Sequence, residues 1–485
     1  MERLNRNSGQ YKKHPERILQ IGEGNFLRCF IGWQVDILNE KKGLDAGIVV
    51  ARPIDTEFPP TLNTQDGLYT TLLRGYDENN ELKDEKRVVS AVTREISIYK
   101  EYKDFLAVAR QPEIRFVVSN TTEAGIVFSD KDKFNDAPAS AFPAKLTRFM
   151  YERFEYFDGA DSKGLILIPC ELIDYNGEEL KKIVLQYAEL WNLSSEFKKW
   201  VDRANTFCST LVDRIVTGYP QKEAESIEDE LGYRDQFMVT GEYFHLFVIQ
   251  APEFVAEELR IADSGLNIEI TEDLKPYKER KVGILNGSHT AIVPIAHLCG
   301  IALVKEAVSD KQIERYLSRL LDDEIIPSLG MPADYLKEFA DSVIGRFRNP
   351  FIDHKLLDIS LNSMTKFKTR LLPQFINYYK NNNTVPKLMS LSLAALICFY
   401  KGENRGESWT LRDDQHFLEM YGELWSDVGE TITEEQSRHI AETVLRLDSH
   451  WGTSMLDMDG LLEKVTSDIV SIVNKGMESV LQEYL

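Results

Sequence analysis

A lysine, an amide and an imidazole follow one another at short intervals near the middle of the chain. They are Lys281, Asn286 and His289, and Pro276 shortly before them suits the first turn of a helix. On a helix that turns about 100° per residue, the three side chains fall within an arc of roughly 140°. We therefore predict that they face the same cleft.

These residue types suit hydride transfer between an alcohol and a nicotinamide. The reaction needs a group that gives or takes the hydroxyl proton, and donors that stabilise a partly anionic oxygen. Lys281 fits the first role if it is buried among other positive charges, Asn286 offers an amide donor, and His289 can orient the oxygen. The structural alternative stays open, because a lysine in the charged run KERK is commonly solvated and a lone histidine commonly belongs to a core.

A glycine turn lies near the start of the chain. Gly22 and Gly24 come between the apolar run 17–21 and a stretch, 29–39, that is typical of an amphipathic helix. Two glycines let the backbone approach a pyrophosphate, and the free N–H groups at a helix start favour its negative charge. Because Leu27 replaces the third glycine of the dinucleotide motif, an ordinary strand-to-helix turn is the alternative.

The end of the second predicted strand bears on the choice between NAD and NADP. Asp55 can accept hydrogen bonds from the adenosine ribose and disfavour a 2′-phosphate, whereas Arg52 indicates the opposite preference. We expect NAD. Asp55 is equally consistent with a solvated loop residue or a helix N-cap.

Two kinds of hydrophobic pattern divide the chain. Up to about residue 275, short Val- and Ile-rich runs alternate with helical stretches, which is typical of a parallel sheet covered on both faces. The clearest runs are residues 17–21, 47–50, 114–119 and 165–169. Weaker runs at 69–73, 245–249 and 266–270 are predicted to add strands at the edge of this sheet.

From Lys275 onward, apolar residues recur at intervals of three and four, as on amphipathic helices. Examples are residues 333–343, 387–399, 434–447 and 458–473. The predicted fold class is α/β. A Rossmann-like doubly wound sheet forms an NAD-binding domain at residues 1–274, and a mainly α-helical substrate and catalytic domain follows at 275–485.

Composition limits the partners. The chain has 485 residues, with 57 Lys and Arg against 78 Asp and Glu and a formal net charge of −21. This acidic excess repels nucleic-acid phosphates and anionic lipids, so neither nucleic acid nor membrane is expected as a partner. The first residues are polar, and the longest apolar stretch, 388–400, is shorter than a membrane span of about 20 residues. We expect a cytoplasmic protein with a small-molecule substrate and no obligate protein partner.

Cysteines and histidines are not spaced as in a metal site. The five cysteines lie far apart without a C-x-x-C pair, and the eight histidines include no H-E-x-x-H motif. We expect reduced cysteines and a reaction that uses no metal ion.

The chain resembles the long-chain polyol dehydrogenases of the mannitol dehydrogenase family. The resemblance rests on Gly-x-Gly-x-x-x-Arg, which ends at Arg28, and on Lys-x5-Asn-x2-His, which ends at His289. Further landmarks in the same order are Thr122-Glu123, Val212-Asp213-Arg214, Arg346-Phe347-x-Asn349 and Lys366-Phe367.

The resemblance implies NAD-linked chemistry in which Lys281 is the acid/base, Asn286 supports the oxyanion and His289 binds substrate. It also implies a set of cofactor contacts: Gly22, Gly24, Asn25, Phe26, Arg28, Asp55, Thr122 and Glu123. One departure concerns the oxyanion site, because Leu172 stands where polyol-oxidising members have a second asparagine. Asn176, a few residues later, is assigned no catalytic role.

Within the family, five segments resemble the branch that acts on hexuronates: GEGNFLR, TQDGLYT, SNTTEAG, PCELIDYNG and KPYKERK. A uronate differs from a polyol by its carboxylate, which calls for a cation or a bidentate fork. Lys366 is the first candidate, with Arg370 and Arg346 behind it, and the resemblance adds Asp213 to the substrate site. The arginines can alternatively pair with surface acids.

Alternative functions stay open both within this class of enzyme and outside it. Within the class, the alternatives are a sister hexuronate reductase and a mannitol-type polyol dehydrogenase. Outside it, a nucleotide-binding sensor or a methyltransferase can use the same glycine turn without hydride transfer.

Overall fold

The computed structural model describes residues 1–8, 11–55, 61–77, 79–121 and 125–485. The chain forms two compact units, Met1–Leu274 and Lys275–Leu485. Thr122 and Glu123, which are predicted cofactor contacts, lie outside the described residues.

A six-stranded parallel sheet is the main sheet of the first unit. The strands of this unit are β1 (Glu16–Ile21), β2 (Gly47–Arg52), β3 (Tyr69–Tyr76), β4 (Leu82–Val89), β5 (Val92–Ser97), β6 (Phe116–Ser119), β7 (Ile166–Pro169), β8 (Thr206–Phe207), β9 (Ser209–Asp213), β10 (Val216–Gly218), β11 (Val239–Glu242), β12 (Leu246–Gln250) and β13 (Ile268–Thr271). The main sheet has the order β5-β2-β1-β6-β7-β8, and all its pairings are parallel. Counted along the chain, this is the order 3-2-1-4-5-6 of the dinucleotide-binding fold, whose ligand crevice lies where the order reverses, beyond β1 and β6.

The predicted strands of the main sheet are confirmed, as is the α/β fold class. Consecutive residues of β1 explain why: Ile18 belongs to the apolar core on one face of the sheet and Leu19 to the core on the other. A strand that is buried on both faces has an uninterrupted apolar sequence, which is why it could be recognised.

The prediction that three weaker runs extend this sheet is wrong. β3 lies in a separate sheet of order β10-β11-β3-β4, and β12 lies between β13 and β9 in a third sheet. A short apolar run indicates a strand but not its partner. The partner of β3 was also hidden, because β4 has the charged sequence LKDEKRVV, as suits an edge strand.

The helix after the glycine turn is not the single amphipathic helix that was predicted. It consists of Asn25–Leu27, a π-helical turn at Arg28–Gly32, and Trp33–Lys42. It is buried from Leu27 to Leu38 because it packs between the main sheet and residues of β3, β11 and β12. The Tyr69 hydroxyl donates to the Arg28 carbonyl at 2.9 Å, and a Cβ on Gly32 would collide with that hydroxyl.

The remaining α-helices of the first unit cover the sheets. They are Tyr102–Ala109, Phe142–Tyr156, Asn176–Leu190, Ser195–Ala204, Ala224–Leu231 and Phe254–Leu259.

The second unit is helical, as predicted, apart from a two-stranded hairpin, β14 (Glu403–Asn404) and β15 (Glu407–Ser408). Its helical segments are Lys275–Arg280, Lys281–Asn286 (π), Gly287–Leu298, Val304–Ala307, Lys311–Arg319, Leu320–Ile325 (π), Ile326–Ser328, Ala333–Phe347, Leu356–Ile359, Ser363–Arg370, Leu372–Asn382, Lys387–Phe399, Gln415–Trp425, Glu434–Leu445, Asp448–Trp451, Met455–Asp457 (3-10), Leu461–Lys475 and Met477–Tyr484. None of the helices in the described part of the chain combines the length and the apolar composition that crossing a bilayer requires.

A buried carboxylate caps the central helix Lys387–Phe399. Glu324 lies in the π-turn Leu320–Ile325 and accepts the backbone N–H groups of Leu388 and Met389, both at 2.7 Å. Its residue is only 3% exposed, and burial raises the pKa of Glu324 to about 7. The folded state therefore holds a proton that the unfolded chain, with an ordinary glutamate pKa of about 4.3, has already released near pH 6.

This proton makes stability depend on pH. The stabilisation is complete below about pH 4 and is lost as the pH rises through about 7, because the folded pKa is the higher one. We expect Glu324→Gln to remove this dependence. The unfolding free energy of the variant, measured relative to that of the wild type, should therefore increase by about 1–3 kcal/mol as the pH rises from about 5 to 8. Urea denaturation at several pH values measures it, with Asp322→Asn, which removes an exposed carboxylate of the same π-turn, as control. A difference in unfolding free energy between variant and wild type that stays constant with pH would show that Glu324 does not cause the pH dependence.

Candidate active site

The glycine turn follows β1 at the point where the strand order reverses. Gly22 has a φ of +122°, and a Cβ there would lie 2.9 Å from the Asn120 carbonyl oxygen, so the turn requires glycine. Gly24 has an ordinary φ of −62°, and a Cβ there would meet nothing within 4 Å. The helix that starts at Asn25 thus opens onto free space, which fits the approach of a pyrophosphate to its N–H groups.

Arg28, a predicted cofactor contact, lies beneath the turn rather than at its open side. Its guanidinium is buried and donates to the Phe237 carbonyl at 2.6 Å and to the Asn25 Oδ1 at 2.7 Å. It also lies over the ring of Tyr69, and burial lowers the pKa of Arg28. Arg28 therefore fixes the exposed Asn25, while the half-buried Phe26 stacks on the core at Phe30.

The two glycines are expected to respond differently to alanine. Gly24→Ala should leave the melting temperature unchanged but raise the Kd for NADH about tenfold or more, because its Cβ fills space needed by the ligand and not by the protein. Gly22→Ala should lower both the melting temperature and the affinity, because of its positive φ. Thermal unfolding and fluorescence titration measure these effects. Wild-type NADH binding by Gly24→Ala would contradict the dinucleotide assignment.

The carboxyl ends of β6 and β7 are joined by a buried carboxyl group that the sequence did not single out. Glu171 accepts hydrogen bonds from the Ser119 hydroxyl and from the backbone and hydroxyl of Thr121, at 3.0–3.1 Å. Burial raises the pKa of Glu171. This link holds the segment beside the glycine turn.

The asparagine near Leu172 is structural. Asn176 is fully buried and donates to the carbonyls of Pro169 and Glu171, while its Oδ1 accepts the N–H of Thr210. Leu172 itself is 63% exposed, so this position presents an apolar side chain and no amide. Within the first unit, Asp213 ends β9 and is buried, and Asp55 is exposed beyond β2.

The segment that carries Lys281 differs from the regular helix that was predicted. Residues Lys281–Asn286 form a π-turn between two α-helical segments. In a π-turn the hydrogen bonds join residues i and i+5, so Lys281 and Asn286 lie closer in angle than on an α-helix. Both are partly exposed, whereas Gly283 to Leu285 between them are buried. The lysine and the amide therefore share the accessible side of the turn.

Two glycines allow neighbouring helices to close against this π-turn. A Cβ on Gly283 would lie 2.9 Å from the Leu329 Cδ2 and 3.0 Å from the Gln374 Nε2. A Cβ on Gly287 would lie 3.3 Å from the Leu371 Cδ2 and 3.4 Å from the Arg370 carbonyl. The end of helix Ser363–Arg370 thus lies directly against the residue that follows Asn286.

His289 is buried and uncharged. Its ring stacks on Phe347 with centroids 4.0 Å apart and meets the edge of His354 at 5.5 Å. Its Nε2 is buried and has no hydrogen-bond partner among the described residues. Burial lowers the pKa of His289 well below its ordinary value. Four basic groups lower it further: His354, Arg346, Arg370 and Lys366.

The three predicted carboxylate-binding cations are therefore all near enough to one imidazole to act on its charge. Lys366 donates to the Ile359 carbonyl at 2.7 Å, and Arg346 is buried at the end of helix Ala333–Phe347. Arg370 is half-buried, its pKa is lowered by burial, and it makes no hydrogen bond or ion pair with any other described residue. His354, which the sequence analysis overlooked, belongs to this cluster, and its position soon after Arg346 and Asn349 was the available signal.

Comparison with known proteins shows the family to which the chain belongs. The family profile described as the mannitol dehydrogenase Rossmann domain matches residues 16–263, and that of the mannitol dehydrogenase C-terminal domain matches residues 273–473. The chain belongs to the mannitol dehydrogenase family and is an oxidoreductase.

Curated relatives include enzymes named altronate oxidoreductase. The one from Yersinia pestis is 51% identical over 486 residues, covering 100% of both chains, and the one from Escherichia coli (strain 536) is 52% identical over 99% of both.

Two solved structures share the fold. They are the mannitol 2-dehydrogenase of Pseudomonas fluorescens in a ternary complex with NAD and D-mannitol (TM-score 0.68, 22% identity, 99% of both chains) and a D-sorbitol dehydrogenase (TM-score 0.82, 20% identity, 99% of this chain and 100% of that one).

Proposed function

We propose that the protein catalyses the NAD-dependent, reversible reduction of D-tagaturonate to D-altronate, a step of hexuronate breakdown. The observation that carries the proposal is the group of cations around His289, in a chain whose net charge is −21. Such a group in an acidic protein suits an anionic substrate. The full-length identity to altronate oxidoreductases supports the same substrate. The proposal includes a cytoplasmic location and a metal-free reaction.

The glycine turn holds the dinucleotide in this proposal. Gly22 shapes the turn, Gly24 leaves room for the pyrophosphate, and Arg28 keeps Asn25 and the helix start in place. Phe26, Asp55, Thr122 and Glu123 stay as predicted contacts. When bound, the nicotinamide supplies the hydride in reduction and takes it up in oxidation.

Side chains of the second unit handle the proton and the oxygen. Lys281 gives a proton to the ketone oxygen during reduction and takes the hydroxyl proton during oxidation. Asn286, on the same side of the π-turn, donates a hydrogen bond to the oxygen as it becomes anionic. His289, neutral and with an unbonded Nε2, forms a hydrogen bond to a substrate hydroxyl.

The substrate carboxylate binds to the cations near His289. Arg370 presents a guanidinium that no described residue engages, and a planar fork matches a carboxylate in a bidentate geometry. Lys366 and Arg346 add positive charge, and Asp213 stays a predicted substrate contact.

The proposal is tested by assaying NADH oxidation with tagaturonate, fructuronate and fructose side by side. We expect tagaturonate to be the best substrate and fructose, which has no carboxylate, to be the poorest. Faster turnover of fructuronate would reassign the enzyme to the sister reaction, and equal turnover of fructose would contradict a carboxylate-binding role of the cations.

A further inference from the structure

The cation at the end of β2 is an unexpected feature for an NAD site. In this fold, an acid near the end of the second strand contacts the ribose hydroxyls of NAD, whereas an arginine nearby accommodates the 2′-phosphate of NADP. Arg52 is the last residue of β2, and only Pro53 and Ile54 separate it from Asp55. By sequence alone, the two signals contradict each other.

The structure gives Arg52 a carboxylate partner. Its residue is 5% exposed, and its guanidinium bonds to Glu95 on the neighbouring strand β5, which is equally buried. The second oxygen of Glu95 accepts the N–H of Leu62 at 2.8 Å. Glu95 is therefore held on both oxygens and cannot swing away from the arginine without breaking a backbone hydrogen bond.

A second carboxylate approaches Arg52 from the glycine turn itself. Glu23, between the two glycines, lies with its Oε1 3.8 Å from the Arg52 Nε. One guanidinium thus faces two carboxylates, which compensate its positive charge. A 2′-phosphate would have to displace Glu95 from a buried pair and approach Glu23, whereas a ribose hydroxyl faces neither cost.

We propose that Glu95 determines the preference for NAD over NADP by holding Arg52 away from the 2′ position, and that Glu23 strengthens this preference by repulsion. Glu95 is a positioning residue, because it acts through Arg52. The inference rests on the proposed function, since it presupposes a dinucleotide at the glycine turn.

The test is the selectivity of binding without substrate. Fluorescence titration gives the Kd for NADH and for NADPH, and their ratio is compared among variants. Glu95→Gln keeps an oxygen for Leu62 but loses the charge, and we expect the ratio Kd(NADPH)/Kd(NADH) to fall about tenfold or more, as for a newly available arginine–phosphate contact. The double variant with Arg52→Gln should return the ratio to the wild-type value. A purely structural role of Glu95 would weaken both ligands equally.

A matched control exists on the same sheet. Glu16, at the end of β1 away from the glycine turn, forms a comparable ion pair with Arg94, with its Oε1 2.8 Å from the Arg94 Nε. Glu16→Gln should therefore leave the ratio unchanged. Should Glu95→Gln fail to fold, Glu23→Gln, whose side chain is 25% exposed, should still lower the ratio several-fold.

The outcomes separate the inference from the proposed function. An unchanged ratio in Glu95→Gln, or in Glu23→Gln if the first variant does not fold, together with intact NADH binding, would overturn the inference alone. Absence of any dinucleotide binding by the unaltered protein would overturn both.

Discussion

Replacing Lys281 by alanine is expected to lower kcat for tagaturonate reduction by about 10²–10⁴-fold while NADH binding is largely kept. The loss has this size because one positioned acid/base group contributes a factor of this order, and Asn286, which shares the accessible side of the π-turn, has an amide that cannot supply the proton. NADH binding is kept because the glycine turn belongs to the first unit. Steady-state kinetics with tagaturonate and NADH titration measure the two effects.

Lys275→Ala is the matched control, since Lys275 is an exposed lysine of the same segment, KPYKERK. Its Nζ lies 3.8 Å from the Glu279 Oε1. This variant should turn over like the wild type. Turnover by Lys281→Ala within a few-fold of the wild type would show that the lysine is not the acid/base.

Arg370→Met is expected to reduce kcat/KM for tagaturonate about 30-fold or more, mainly through KM. Methionine fills much of the volume but removes the fork that no described residue engages, so the substrate carboxylate loses a charge-assisted bond. The residual activity with fructose, which lacks the carboxylate, should not change. Comparing the two substrates separates loss of carboxylate binding from general damage to the site.

Arg348→Met provides the control for Arg370, because Arg348 is exposed and pairs with Glu314 at the surface. It should have no effect on either substrate. An equal loss of tagaturonate and fructose activity in Arg370→Met would mean that Arg370 supports the fold of the site and does not bind the carboxylate.

The sequence revealed those parts of the fold whose residues have uniform surroundings. β1, β2, β6 and β7 are buried on both faces, and their apolar runs reflect this. β4 escaped notice because an edge strand exposed to solvent has a charged sequence. The pairing partners of β3 and β12 were predicted wrongly, because hydrophobic periodicity contains no information on which strand lies beside which.

The sequence indicated which residues belong to the candidate site but not the local geometry that holds them. Lys281, Asn286 and His289 were chosen from a regular 3.6-residue period, but a π-turn interrupts the helix between them. The period cannot show this, because the turn depends on helices that close against Gly283 and Gly287 from later in the chain. The same holds for Arg28 and Arg52, whose partners Phe237 and Glu95 are distant in sequence.

The π-turns Arg28–Gly32 and Lys281–Asn286 have a consequence for the interpretation of mutational data. Gly32 has no room for a methyl group beside Tyr69, and Gly283 is packed against Leu329 and Gln374. A saturation-mutagenesis screen of activity would therefore rank these two positions with the reacting residues, although neither has a side chain to offer a ligand. Intolerance to substitution at such sites reports the shape of the scaffold, and combining the screen with an abundance readout would distinguish it from chemistry.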